Sequence, residues 1–192
     1  MNAYEDERGA VVFDVVRYPE LCRNGFSGPP GTPHRWRIDL ASGQVHEEPL
    51  DDRAVEFPRF DERRLGAEHR YGYAVYTQDW SEFGIGTALI KYDVRSGRSA
   101  THDFGAGRMP SKPVFVPASP SVGEDEGWIL SYVYDAGRDG SDLLILDAAD
   151  FSRNPVATIA LPQRVPFGFH GSPTCDESAA TVRVAARAPG EG

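Results

Sequence analysis

Trp36-Arg-Ile-Asp39-Leu-Ala-Ser-Gly43, Ile90-Lys-Tyr-Asp93-Val-Arg-Ser-Gly97 and Leu144-Ile-Leu-Asp147-Ala-Ala-Asp150 are three copies of one design. Each is a short alternating strand closed by an aspartate, and in the first two a Ser-Gly pair supplies the positive φ that a hairpin needs. The aspartates recur at intervals of 54 residues. A second series keeps nearly the same step: Glu56-Phe-Pro58-Arg-Phe, Lys112-Pro113-Val-Phe-Val-Pro117 and Val165-Pro166-Phe-Gly-Phe-His170. Between the two lie longer apolar or alternating runs, Tyr71–Tyr76 and Gly127–Tyr134, with the pattern of half-buried or buried strands. A period near fifty residues with several strands per unit predicts β-propeller blades. A β-sandwich also consists of hairpins, but it does not require two series in step. Helical readings fail, because prolines interrupt the i, i+3, i+4, i+7 pattern wherever it begins.

The rest of the composition agrees. The chain has 192 residues, is 40% hydrophobic, and carries 20 Gly and 15 Pro, which fits one all-β unit with many turns. A net charge of −9 leaves no basic stripe to displace counterions from phosphates, so no nucleic-acid partner is expected. Two distant cysteines, Cys22 and Cys175, make neither a disulfide framework nor a thiolate metal site. The N-terminus is polar and acidic, unlike a secretory leader, and the expected location is the cytoplasm. At about 54 residues per blade the chain holds three to three and a half blades of four to five antiparallel strands, fewer than the roughly four to eight a closed propeller needs. The expected organisation is a partial propeller over residues 1–171 and a loose tail over 172–192. The loop Ser119–Gly127 reads as a solvated acidic turn.

His170 is the residue of most chemical interest. It ends an apolar, proline-opened run and precedes Gly171, so an imidazole is offered where a strand stops and the backbone turns. His34, His46, His69 and His102 do not share its phase and are not expected to bind metal. No Gly-x-Ser-x-Gly elbow and no phosphate-cradling glycine loop occurs.

In order along the chain, Asn2-Ala-Tyr-Glu5, the strand from Val11 to Tyr18, Glu56-Phe-Pro-Arg59, Tyr71-Gly-Tyr73, Leu89-Ile-Lys-Tyr-Asp93, Pro113-Val-Phe-Val-Pro117, Gly127-Trp-Ile-Leu-Ser131, Leu144-Ile-Leu-Asp147 and Pro166-Phe-Gly-Phe-His-Gly171 resemble the carotenoid cleavage oxygenases. The resemblance implies a seven-bladed propeller with one Fe(II) per complete propeller, held by four histidines from inner strands. It implies cleavage of a conjugated C=C bond of a carotenoid, apocarotenoid or stilbene with O2. By the same resemblance His170 is the last of the four ligands, Glu56 orients a ligand histidine through its other N–H, and Phe167 and Phe169 wall the substrate tunnel.

Two departures accompany these matches. The third ligand of the family stands three residues before the Asn of Asn-Ala-Tyr-Glu, a position that would precede Met1, and the first two stand further upstream. The chain thus resembles the C-terminal two-fifths of such an enzyme, and the missing histidines would come from an upstream segment or a second chain. Where the family places a glutamate before Pro-Val-Phe-Val, this chain has Lys112, which cannot accept an N–H. The alternative expectation is a truncated, non-catalytic propeller piece that acts, if at all, as an interaction module.

Overall fold

A computed structural model describes residues 1–20, 28–79, 84–166 and 168. They form three antiparallel sheets, of four, four and five strands. Blade I is β1 (Ala3–Glu5), β2 (Ala10–Arg17), β3 (Thr32–Asp39) and β4 (Val45–Pro49). Blade II is β5 (Val55–Phe60), β6 (Tyr71–Asp79), β7 (Gly84–Asp93) and β8 (Arg98–Asp103). Blade III follows a short strand β9 (Arg108–Pro110) and consists of β10 (Val114–Pro117), β11 (Gly127–Asp135), β12 (Gly140–Asp147) and β13 (Ala157–Ala160). The protein is all-β, a partial propeller as its repeat predicts, with the seven-bladed closure that the resemblance implies. No described helix is long and apolar enough to cross a membrane.

The repeating aspartate has a structural cause. Asp39, Asp93 and Asp147 each end the third strand of a blade. The Oδ1 of each accepts two backbone N–H groups of the following turn: Ala41 and Ser42 at 2.8 and 3.1 Å, Arg95 and Ser96 at 3.1 and 3.3 Å, Ala149 and Asp150 at 2.8 and 3.1 Å. The side chain takes over donors that the strand ladder leaves behind. Gly43 and Gly97 then take φ near +70°, where a Cβ would be strained.

Blade II is buried on both faces, and the two faces make the two parts of the core. Toward blade III, Tyr73, Val75 and Leu89 pack with Phe115, Ile129, Leu144 and Phe151. Tyr73 is fully buried, stacked on Phe115 at 6.2 Å between ring centroids. Toward blade I, Ala74, Ile90 and Tyr92 pack with Val16. The strict alternation of β6 and β7 produces this division, since period-2 side chains send neighbouring residues to opposite faces.

Three elements differ from expectation. β4 and β8, the outermost strands of blades I and II, carry the polar sequences VHEEP and RSATHD, so they show no hydrophobic period although they complete their sheets. The run at residues 11–18 is preceded by an inner strand, β1, which pairs with it. The acidic loop is not a free solvated turn. Arg63, held by Asp61, donates to the carbonyls of Ser119 (3.3 Å), Pro120 (2.9 Å) and Gly123 (3.3 Å). Glu124 accepts the Arg70 N–H at 2.7 Å, and Asp125 pairs with the buried Lys91 ammonium at 3.1 Å. Its carboxylates are spent on tying blade III to blade II. Arg63→Ala is therefore expected to speed amide exchange across 119–126 several-fold, because it removes three hydrogen bonds to that loop, and to lower overall stability as well, because the buried Asp61 loses its partner and the Phe115 ring its neighbouring guanidinium.

Candidate functional site

Each blade begins at its innermost strand, and the inner strands of blades II and III, β5 and β10, lie against each other. Both inner strands are interrupted at the same point of the repeat. In blade II the β5–β6 ladder shifts register between Glu56 and Arg59, and Phe57 stands at φ 51°. A phenylalanine in that region is strained, so the surrounding structure must hold it there. Pro58 contributes by lacking a ladder N–H. In blade III the break lies at Ser111-Lys112-Pro113, between β9 and β10, which both pair with β11. Ser111 bridges it: its N–H donates to Tyr132 O at 2.7 Å and its Oγ accepts the Tyr132 N–H at 3.1 Å. Bulged or broken inner strands re-aim a side chain. Glu56 and Lys112 stand at these two breaks.

Glu56 is half-buried, and its Oε2 accepts the Phe57 N–H at 2.7 Å, which holds the carboxylate at the bulge. Desolvation pushes its pKa up, and the Phe57 hydrogen bond offsets that only partly. Among the described residues no cation lies within ion-pair distance of it. Lys112 is also half-buried. Desolvation first, then the nearby Arg59, lowers its pKa, against the opposing effect of Glu62. A carboxylate able to accept an N–H thus stands at the break of one inner strand and a cation at the break of the next, where the residue in register with Glu56, opposite Tyr132 as Glu56 is opposite Val75, is Ser111.

Of the residues the sequence singles out, the structure describes Glu56. His170, Phe167, Phe169 and the stretch 172–192 lie outside the described residues. Three of the other histidines, His34, His69 and His102, have structural partners. His34 approaches Glu47 at 2.9 Å, His46 lies on exposed β4, and His102 is buried with Nδ1 3.2 Å from Phe151 O and its ring 4.7 Å from that of Phe104. Among the described residues no group of three or more His, Cys, Asp or Glu is placed to hold a metal ion.

The largest polar feature was not legible in the sequence. Asp14 on β2 and His69, in the connection between β5 and β6, are both completely buried, with Asp14 Oδ2 3.2 Å from His69 Nε2. That approach is a charge-distance contact without hydrogen-bond alignment. Arg35 on β3 completes the group by donating to both oxygens of Asp14 at 2.7 and 2.8 Å. Asn2 lies 3.3 Å from His69 Nδ1 and donates to the carbonyls of Arg64 and Ala67. Burial works against ionisation of Asp14, but the Arg35 hydrogen bonds and His69 outweigh it and hold the carboxyl below its ordinary value. The network locks blade I to the connection of blade II.

The described residues are thus a stack of antiparallel blades with a carboxylate held at a bulge on one edge strand. The family model described as "Retinal pigment epithelial membrane protein" matches residues 1–172. The carotenoid cleavage oxygenase of Mycobacterium tuberculosis (strain H37Rv) is 39% identical over 183 residues, covering 90% of this chain and 36% of that protein. The apocarotenoid-15,15'-oxygenase of Synechocystis is 31% identical over 181 residues, covering 89% and 37%. The solved structure of cobalt-substituted Synechocystis apocarotenoid oxygenase superposes with a TM-score of 0.77 at 30% identity, covering 89% of this chain and 38% of that one. The chain belongs to the family of retinal pigment epithelial membrane protein and the carotenoid cleavage oxygenases. It spans less than two-fifths of the length of these relatives.

Proposed function

We propose that this chain is part of a nonhaem Fe(II)-dependent dioxygenase that cleaves a conjugated C=C bond of a carotenoid, apocarotenoid or stilbene with O2, each alkene carbon leaving as a carbonyl. Family membership supports the reaction class, and so do relatives named for carotenoid and apocarotenoid cleavage. The observation in this chain that carries the reading is Glu56: a half-buried carboxylate with no cation beside it among the described residues, held on an inner strand by a strained bulge. A purely structural carboxylate in such a place would normally be paired.

The described residues do not by themselves make an iron site. His170 is proposed as one ligand, and the others are proposed to come from an upstream segment or a second chain. Bound iron would supply the activation of O2. This chain's own residues position and shield: Glu56 accepts the outward N–H of a ligand imidazole and fixes its tautomer and plane, and Phe167 and Phe169 are proposed to wall an apolar tunnel that orients the polyene and excludes water. Lys112, at the break between β9 and β10, offers no acceptor to an imidazole N–H.

In the iron-loaded assembly Glu56→Ala is expected to lower iron affinity and cleavage rate about 10–100-fold, the usual cost of removing a partner behind a metal ligand. Glu56→Gln keeps an acceptor oxygen and should retain most of both. Chromatography of the aldehyde products and iron titration read the two effects. Full activity in Glu56→Ala would remove Glu56 from the site.

A further inference from the structure

The segment that follows β13 is tied down before it reaches the stretch ending in His170. Leu161 donates its N–H to the carbonyl of Ser141 at 2.9 Å, and Val165 donates to the Oγ of the same serine at 3.0 Å. Ser141 is the second residue of β12 and is buried, a hydroxyl just ahead of the apolar run Leu143-Leu-Ile-Leu146. Arg164, between the two anchored amides, lies over the Tyr134 ring at 5.3 Å and 3.7 Å from Asp139 Oδ1. The Tyr134 hydroxyl donates to that same oxygen at 2.9 Å. The β11–β12 hairpin thus holds residues 161–165 through the side chains of Tyr134, Asp139 and Ser141 and through one carbonyl.

The same anchor stands before β5. Leu50 donates to Pro33 O at 2.8 Å and Val55 to Gly31 O at 2.9 Å, and Pro33 is the second residue of β3 as Ser141 is of β12. Val55 then opens the inner strand that presents Glu56. Val165 opens the member of the same repeat series that ends in His170. In both places the passage from an outer strand to the next stretch of that series is pinned to the start of the blade's third strand. Blade I uses backbone carbonyls at both points, whereas blade III uses a side chain, Ser141 Oγ, at the second. A buried hydroxyl on a central strand is costly without a partner, and here the partner is the Val165 amide.

We propose that Ser141 and Arg164 are positioning residues of the iron site: by fixing where the chain enters the stretch to His170, they set where that imidazole is presented. The inference rests on the cleavage reading above, in which His170 is a ligand. Neither residue touches metal or substrate in it. A ligand is held to its geometry by the groups behind it, and a stretch pinned at its root has less freedom to lose when metal binds.

Cobalt(II) titration tests this, on this chain co-expressed with the remaining N-terminal part of the Mycobacterium tuberculosis relative. Ser141→Ala and Arg164→Ala are each expected to weaken cobalt binding about 10-fold and to shift the ligand-field bands of the bound ion. In the same titration His170→Ala should lose at least about 100-fold. Circular dichroism and urea unfolding accompany each variant, and Arg164, whose side chain is 44% exposed, carries the test if Ser141→Ala does not fold. A purely structural role would lower the urea midpoint and leave the affinity and bands of the folded protein unchanged. That result, with binding lost only in His170→Ala, would overturn this inference and leave the cleavage reading standing. A wild type that binds no cobalt, or a His170→Ala variant that binds it as the wild type does, would overturn the cleavage reading and this inference with it.

Discussion

Replacing Asp14 with alanine is expected to destabilise the chain by about 3–5 kcal/mol, the usual consequence of removing one partner from a buried ion pair. The side chain is completely buried, and Arg35, itself 19% exposed, spends two hydrogen bonds on it. Without the carboxylate the guanidinium is left in the interior with its donors unanswered, and His69 loses the carboxyl group beside its Nε2. Because the network joins β2 and β3 to the β5–β6 connection, the loss falls on the junction of blades I and II. Urea unfolding should show a lower midpoint with an unchanged slope. The double variant with Arg35→Met should recover part of the loss, because the stranded charge is gone, and the cycle then isolates the pair.

The same carboxyl sets a pH dependence. Its folded pKa lies below the unfolded value of about 4, so the unfolded chain binds the proton first on acidification. The stability it contributes is complete above the unfolded pKa and is lost as pH falls from there through the depressed folded value. His102 acts in the same sense at higher pH. Desolvation lowers its pKa despite the Phe151 carbonyl, so stability declines as pH falls below the ordinary histidine value of about 6.5. Asp14→Ala should lose only the Asp14 share of the acid limb, leave the share of other depressed aspartates such as Asp51 and Asp93, and keep the histidine limb.

The blades were legible where burial and turn chemistry coincide. β2, β3, β6, β7, β11 and β12 are each packed against a neighbouring blade, so their alternation is written in the sequence, and Asp39, Asp93 and Asp147 mark the turns because their carboxylates cap them. The outer strand β4 buries nothing, and β8 buries only His102 with Ala100 partly covered, so their sequences carry no hydrophobic period. The pairing of Asp14 with His69 was invisible for a different reason. The two lie 55 residues apart, and His69 sits in a segment whose charged neighbours, Glu68 and Arg70, give it the appearance of a surface residue. At the candidate site Pro58 hinted that the ladder would break, but the positive φ of Phe57 depends on the packing of β5 between its neighbours and has no sequence signal of its own. The difference between Glu56 and Lys112 was legible as a change of charge. That both stand at interrupted inner strands emerged only from the pairing of β5, β9 and β10.

The other large effect concerns His170. If it is one of four imidazoles around an iron, its removal leaves three ligands and an open position where O2 chemistry was controlled, and both metal retention and cleavage should collapse by at least about 100-fold. The chain spans less than two-fifths of its relatives' length, so the measurement is made on an assembly. This chain is co-expressed with the remaining N-terminal part of the Mycobacterium tuberculosis relative, reconstituted anaerobically with Fe(II), and its iron is counted by elemental analysis beside the His170→Ala variant. One iron per assembly, lost in the variant, is the predicted result. Iron retained in full by the variant, or absent from both, would contradict the account.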